Sequence, residues 1–169
     1  KDKEDLDKLE QVRQHADEVG LGMVVIIAKG MQLILATVDQ HWDVVEREAS
    51  RLLAQCQQQG VKLAIPLATN LLSLAEMNQG RVEQAILRLE DFFTSGSSPI
   101  QAWTVIELLC TLNAALHRAH RPTADVRQRL EIALAEIAAH CTHPDLLPSF
   151  EAYRKRALQV AEDHLPLSW

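Results

Sequence analysis

Residues 68–89 read ATNLLSLAEMNQGRVEQAILRL, two apolar runs of helical spacing on either side of Gly80. Before the glycine, the pattern predicts a helix over residues 63–78. Pro66 falls in its first turn, where a missing N–H does little harm. After the glycine, Val82, Ala85, Ile86 and Leu89 recur three to four residues apart and predict a helix over residues 81–93. Gly80 supplies the backbone freedom that the corner needs. Two helices joined by so short a corner must lie antiparallel.

The same grammar extends in both directions. Upstream, Leu6, Leu9, Val12 and Ala16 mark one face of a helix over residues 3–18, with Gly20 as its stop. The apolar run 21–38 predicts a second helix, buried on nearly all sides. A third is expected over residues 42–58, with Val45, Ala49, Leu52, Leu53 and Cys56 inward and Gly60 at its end. Downstream, residues 94–98 read as a loop, and Ser98-Pro99-Ile100-Gln101 forms a capping box for a sixth helix running to about Ala119. A seventh helix opens at Pro122 or Thr123, and an eighth spans residues 145–163. Aligning Val45, Ala85 and Val126 gives spacings of 40 and 41, and stepping back 39 from Val45 reaches Leu6. A two-helix unit repeating near 40 residues predicts an all-α fold, an antiparallel helix-hairpin α-solenoid. One domain over residues 1–169 is expected: an N-terminal capping helix (1–20), three hairpins (21–141) and a C-terminal capping helix (145–164).

The middle unit resembles a tetratricopeptide repeat (TPR). The resemblance rests on Leu72, the small Ser73, Gly80 at the turn, Ala85 early in the second helix and Leu89 one turn later. Small residues at Ser73 and Ala85 let paired helices touch. The flanking units match less well. Leu33 stands at the small position of the first. The third keeps Ala114 there but has Arg121 at the turn. The long period is similar to the divergent repeats of large LuxR-type regulators. This resemblance implies binding of a partner segment on the groove lined by the first helix of each unit. It would place Asn70, Leu74, Met77 and Asn78 in that groove, followed by Thr111, Ala115 and Arg118. Leu74 and Met77 would be apolar anchors, and the Asn amides would pair with backbone groups. The Lys and Asn set of the peptide-clamp variant is missing, which disfavours a binder of chaperone tails.

Composition agrees with the helical reading. There are 25 Leu and 21 Ala, only 6 Gly and 6 Pro, and 4% aromatics, so the core is aliphatic. A net charge of −6 argues against non-specific nucleic-acid binding. Cys56, Cys110 and Cys141 read as thiols of a reducing compartment, and a cytoplasmic location is expected. The chain starts without Met inside a helix, which reads as a piece cut from a larger protein.

Residues 21–38 approach the length of a membrane span, but Lys29 would sit near its centre. The soluble helix is preferred over a span or over a strand at residues 23–27. Its aliphatic excess also suits a homodimer interface. Neither a nucleophile elbow nor a phosphate-binding glycine loop occurs. His117 and His120, and His140, Cys141 and His143, invite a metal reading, but the helix order places the two groups at opposite poles. The expectation is therefore no catalytic residues, no metal and no cofactor. It leaves a protein-interaction scaffold, or a ligand-sensing or oligomerisation domain of a signal-responsive transcriptional regulator. Sensing would require a closed apolar pocket, and scaffolding an exposed apolar surface.

Overall fold

The computed structural model describes residues 2–18, 22–95, 102–141 and 147–166, and every regular element among them is helical. Eight α-helices follow one another: α1 (Asp2–Glu18), α2 (Gly22–Val38), α3 (Trp42–Gln59), α4 (Ile65–Asn78), α5 (Val82–Thr94), α6 (Ala102–Arg118), α7 (Ala124–His140) and α8 (Leu147–Glu162). A turn of 3-10 helix, Lys62–Ala64, leads into α4. The expected all-α class is observed. Residues 23–27 lie inside α2, not in a strand. The capping box at 98–101 and the stop at Gly20 lie outside the described residues. Pro66 sits in the first turn of α4, and Gly60 closes α3 at φ 67°.

Each helix packs on its neighbours in sequence. In addition, α2 touches α4, α4 touches α6, and α6 touches α8. Among the described residues the backbones of α1, α3, α5 and α7 do not approach one another, although the Arg129 guanidinium of α7 lies over the Phe93 ring of α5, 4.5 Å from its centroid. The even-numbered helices therefore form an inner row and the odd-numbered helices an outer one. The short connections make neighbours antiparallel, so the inner helices share one direction.

α2, α4, α6 and α8 also end alike. The N–H of His41 donates to the Ala36 carbonyl at 3.2 Å, and Arg81 to Glu76, Arg121 to Leu116 and Leu165 to Val160 at 2.9 Å each. Each bond closes over a residue of positive φ: Gln40 (57°), Gly80 (82°), His120 (56°) and His164 (54°). This is the Schellman closure of a helix C-terminus, and its first three instances lie 40 residues apart. The closure after α6 turns at His120, one residue before Arg121, where the turn was expected. The link after His120 is longer than the link after Gly80, which explains why Val126, 41 beyond Ala85, is the buried residue.

Two aliphatic clusters meet at α4. Ile26, Leu33, Val45, Leu52 and Leu71 belong to the first, and Ile86, Leu89, Ile106, Leu112 and Phe150 to the second. A Cβ added to Gly30 on α2 would lie 2.7 Å from Leu67 Cδ2 on α4, so the glycine is what lets these helices approach. α2 is not buried on nearly all sides, as its composition led one to expect. Met23, Val24, Ile27, Met31 and Val38 are exposed. The physical reason is position. α2 is the first inner helix described, so α1, α3 and α4 cover three of its sides and leave the fourth open.

Candidate functional site: the inner helix row and its open end

The seven residues expected in a groove all lie on α4 or α6, but most do not face solvent. Asn70, Met77, Thr111 and Ala115 are each 3% exposed or less. Leu74 is half-buried against the second cluster. Asn78 is exposed, and its amide donates to the Leu74 carbonyl of its own helix at 2.8 Å. Arg118 is exposed and donates to the Met77 carbonyl at 3.4 Å, tying the end of α6 to the end of α4. The groove assignment is therefore corrected for Asn70, Met77, Thr111 and Ala115. They pack within the chain because small and aliphatic side chains let α2, α4, α6 and α8 approach closely.

Several buried polar atoms in this row lack a partner: Asn70 Oδ1, Glu107 Oε2, Thr111 Oγ1, Asn113 Oδ1 and Tyr153 Oη. The Asn113 amide donates to the Ala161 carbonyl of α8 at 2.8 Å, which satisfies its other end. Glu107 is 2% exposed, and burial pushes its carboxyl from 4.5 up to about 7. Burial, with Glu107 nearby, also raises the Cys110 thiol to about 12 and the Tyr153 phenol above its ordinary value. The Cys56 thiol is raised by burial too. Burial thus disfavours the thiolate at both Cys56 and Cys110. Trp103 packs edge-on against Phe150 and Tyr153, with centroids 6.1 and 4.8 Å away. Sequence reading overlooked Glu107 and Asn113. The available signal was an acid and an amide inside the apolar run VIELLCTLNAAL, residues 105–116.

The histidine groups do not converge. The His117 ring stacks on His164 at 3.7 Å, and His140 Nδ1 donates to the Glu136 carbonyl at 2.7 Å. His143 lies outside the described residues, and among those described no three metal-ligating side chains gather.

The open end of the row is different in kind. Lys8, Leu9 and Val12 of α1 and Met31, Ile34 and Leu35 of α2 line a groove of about 440 Å³. Val12, Met31 and Ile27 are each about half exposed, at 51%, 50% and 48%. Beside the groove, Gln32 donates to Glu10 at 3.0 Å and so ties α2 to α1. The hydrogen bonds from Arg13, then from Gln32, hold the Glu10 carboxyl down at about 2. Lys29 points away from the groove and donates to Gln55 of α3 at 3.1 Å. No helix among the described residues is long and apolar enough to cross a membrane. At the other end, α8 exposes Glu151, Arg154, Lys155 and Glu162, together with Leu147 and Ala152.

No protein family matches this chain, and no curated protein or solved structure does either.

Proposed function

We propose that this chain is a non-catalytic protein-interaction module, a TPR-like solenoid of antiparallel helical hairpins within a larger regulatory protein. Its partner is a protein segment, and its binding surface is the apolar face of α1 and α2. Support for the solenoid comes from the inner row of like-directed helices and the closures at Gln40, Gly80 and His120. One observation carries the binding surface. The exposed side chains of α2 are aliphatic along a whole helical face, while the expected groove positions Asn70, Met77, Thr111 and Ala115 are packed away. Contiguous apolar surface of this kind is characteristic of an interaction site. No cofactor, nucleic acid or membrane enters this reading.

The test is affinity capture with the wild-type chain beside a Met31→Glu variant, followed by identification of what is retained. A protein held by the wild type, released by Met31→Glu and retained by an Asn78→Ala control supports the assignment. Equal retention by all three would overturn it.

A second reading, a ligand-sensing or oligomerisation module of a signal-responsive transcriptional regulator, draws on one observation. Glu107 is a buried carboxyl near Tyr153 whose Oε2 has no hydrogen-bond partner, and a small donor reaching it would satisfy that oxygen. Thermal stability measured against a panel of small ligands tests it. Stabilisation that depends on Glu107 would favour sensing.

A further inference from the structure

Lys29 is the one charged side chain of α2, and it is half-buried. Its ammonium donates to the neutral Gln55 side chain of α3 and forms no ion pair among the described residues. An ammonium so placed loses part of its hydration without a counter-ion. It lines a cleft of about 450 Å³ between α1 and α3, floored by α2. Arg13 enters this cleft from α1 and Arg51 from α3, while Leu33, Val44 and Leu52 form its apolar wall. The acids do not balance the cations. Glu10 holds Arg13, and Glu48 holds both Arg47 and Arg51. Two carboxylates, Glu10 and Glu48, thus stand against four cations, Arg13, Lys29, Arg47 and Arg51. Asp17, one turn beyond Arg13, is exposed and acts on it more weakly. This local excess of positive charge stands in a chain whose net charge is −6.

The next hairpin repeats the cleft without the excess. Forty residues on, Arg13, Lys29, Glu48, Arg51 and Leu52 become Leu53, Thr69, Arg88, Asp91 and Phe92. All five line a cleft of about 430 Å³ between α3 and α5. A buried Thr69 stands there in place of Lys29. Its cations Lys62 and Arg88 are matched by Asp91 and by Glu76, onto which Arg88 forks. The helix packing therefore does not require a cation at the position of Lys29. Donors also remain for a ligand. Arg13 Nη1 and Arg51 Nη2 make no hydrogen bond within the chain among the described residues, and Lys29 has N–H groups beyond the one given to Gln55.

We infer that the α1–α2–α3 cleft binds a phosphomonoester, with Lys29, Arg13 and Arg51 on its oxyanion and the Leu33, Val44 and Leu52 wall against its organic group. The two surplus positive charges match the charge of about −1.5 to −2 that such a group carries near neutral pH. Arginine and lysine N–H groups give phosphate oxygens strong, charge-assisted hydrogen bonds. The cleft is larger than a bare phosphate needs and falls among small-molecule sites, which run to about 300–1,000 Å³. It is separate from the apolar groove of α1 and α2, and neither assignment depends on the other.

Calorimetric titration of the 169-residue chain at neutral pH and constant ionic strength tests this with three probes: inorganic phosphate, phenyl phosphate and a phosphoserine peptide. One-to-one binding of an ester is expected, tighter than that of inorganic phosphate, with none by phenol or the unphosphorylated peptide. Lys29→Met should weaken it at least about tenfold and Arg51→Gln several-fold, with helix content unchanged by circular dichroism. Lys155→Gln on α8 should leave it unaltered. Tighter binding of phenyl phosphate assigns a free small molecule, and tighter binding of the peptide a phosphorylated chain; both outcomes support the oxyanion site. Binding of neither ester, or binding that Lys29→Met leaves intact, would overturn the inference. Should Lys29→Met fail to fold, indifference to Arg51→Gln would overturn it equally.

Discussion

Arg88 on α5 forks onto the carboxylate of Glu76 on α4, with Nη2 2.6 Å from Oε1 and Nε 3.0 Å from Oε2. The carboxylate is 1% exposed and the guanidinium 28%. Forty residues to either side, the inner helices carry Ala36 and Leu116 at the position of Glu76, so the ion pair is particular to the middle hairpin. Removing Arg88 strands a buried charge. Arg88→Ala should lower the free energy of unfolding by about 3 kcal/mol. The double variant Glu76→Leu with Arg88→Ala should recover most of that loss. Urea denaturation of the four members of the cycle measures the coupling, and additive losses would contradict the pairing.

Glu107 makes stability depend on pH in an unusual direction. In the unfolded chain the carboxyl ionises near 4.5, and in the folded chain it holds its proton to about 7. Across that window the folded state binds more protons, so stability falls as pH rises. Glu107→Gln removes the titration and should be relatively more stable at alkaline pH. Each tenfold difference in proton affinity between the folded and unfolded chain is worth about 1.4 kcal/mol, so the advantage of the variant should grow by up to about 3 kcal/mol between about pH 4 and pH 8. Thermal melts of both proteins across this range provide the comparison. A constant difference would mean that Glu107 is solvated or paired.

The repeated closures predict three substitutions with known signs. His120 and Gln40 hold φ of 56° and 57° without being glycine. His120→Gly and Gln40→Gly should each stabilise the chain by about 0.5–1 kcal/mol. Gly80 holds φ 82°, and Gly80→Ala should destabilise by about 1 kcal/mol. Chemical denaturation resolves changes of this size. Were His120→Gly destabilising, the turn would not be where the structure puts it.

Leu52 and Val12 stand at equivalent positions of α3 and α1 with opposite surroundings. Leu52→Ala should lose about 2–4 kcal/mol through the cavity it leaves. Val12→Ala should change the isolated chain by under about 0.5 kcal/mol, since no described helix seals it. Urea denaturation of both variants beside the parent chain reads the contrast, and equal losses would mean that Val12 is sealed as Leu52 is.

Much of the local structure was legible in one dimension. Pro66, Gly60 and Gly80 punctuate helices through backbone geometry that depends only on their own residue types. The 3.6-residue recurrence of Leu and Ala marks which side of each helix is apolar. The near-40 spacing of Val45, Ala85 and Val126 likewise needs only counting. The third turn was displaced by one residue because His120 takes a left-handed conformation without the glycine that would have advertised it.

The candidate site was legible only in part, for a reason visible at Asn70 and Met31. Periodicity places both on the inner helices, yet Asn70 is sealed in the row and Met31 faces water. An inner helix has neighbours on up to three sides, and which side stays open depends on which helices stand beside it. Glu107 shows the same limit. Its sequence neighbours are apolar, but its loss of hydration comes from the packing of α6 into the row and against α8. The sequence by itself determined the helices, their order and their spacing, because these follow from local backbone preferences and apolar periodicity. Only the tertiary structure decided which faces are sealed, which carboxyl is stripped of water and which groove stands open, because burial is set by neighbours distant in the chain.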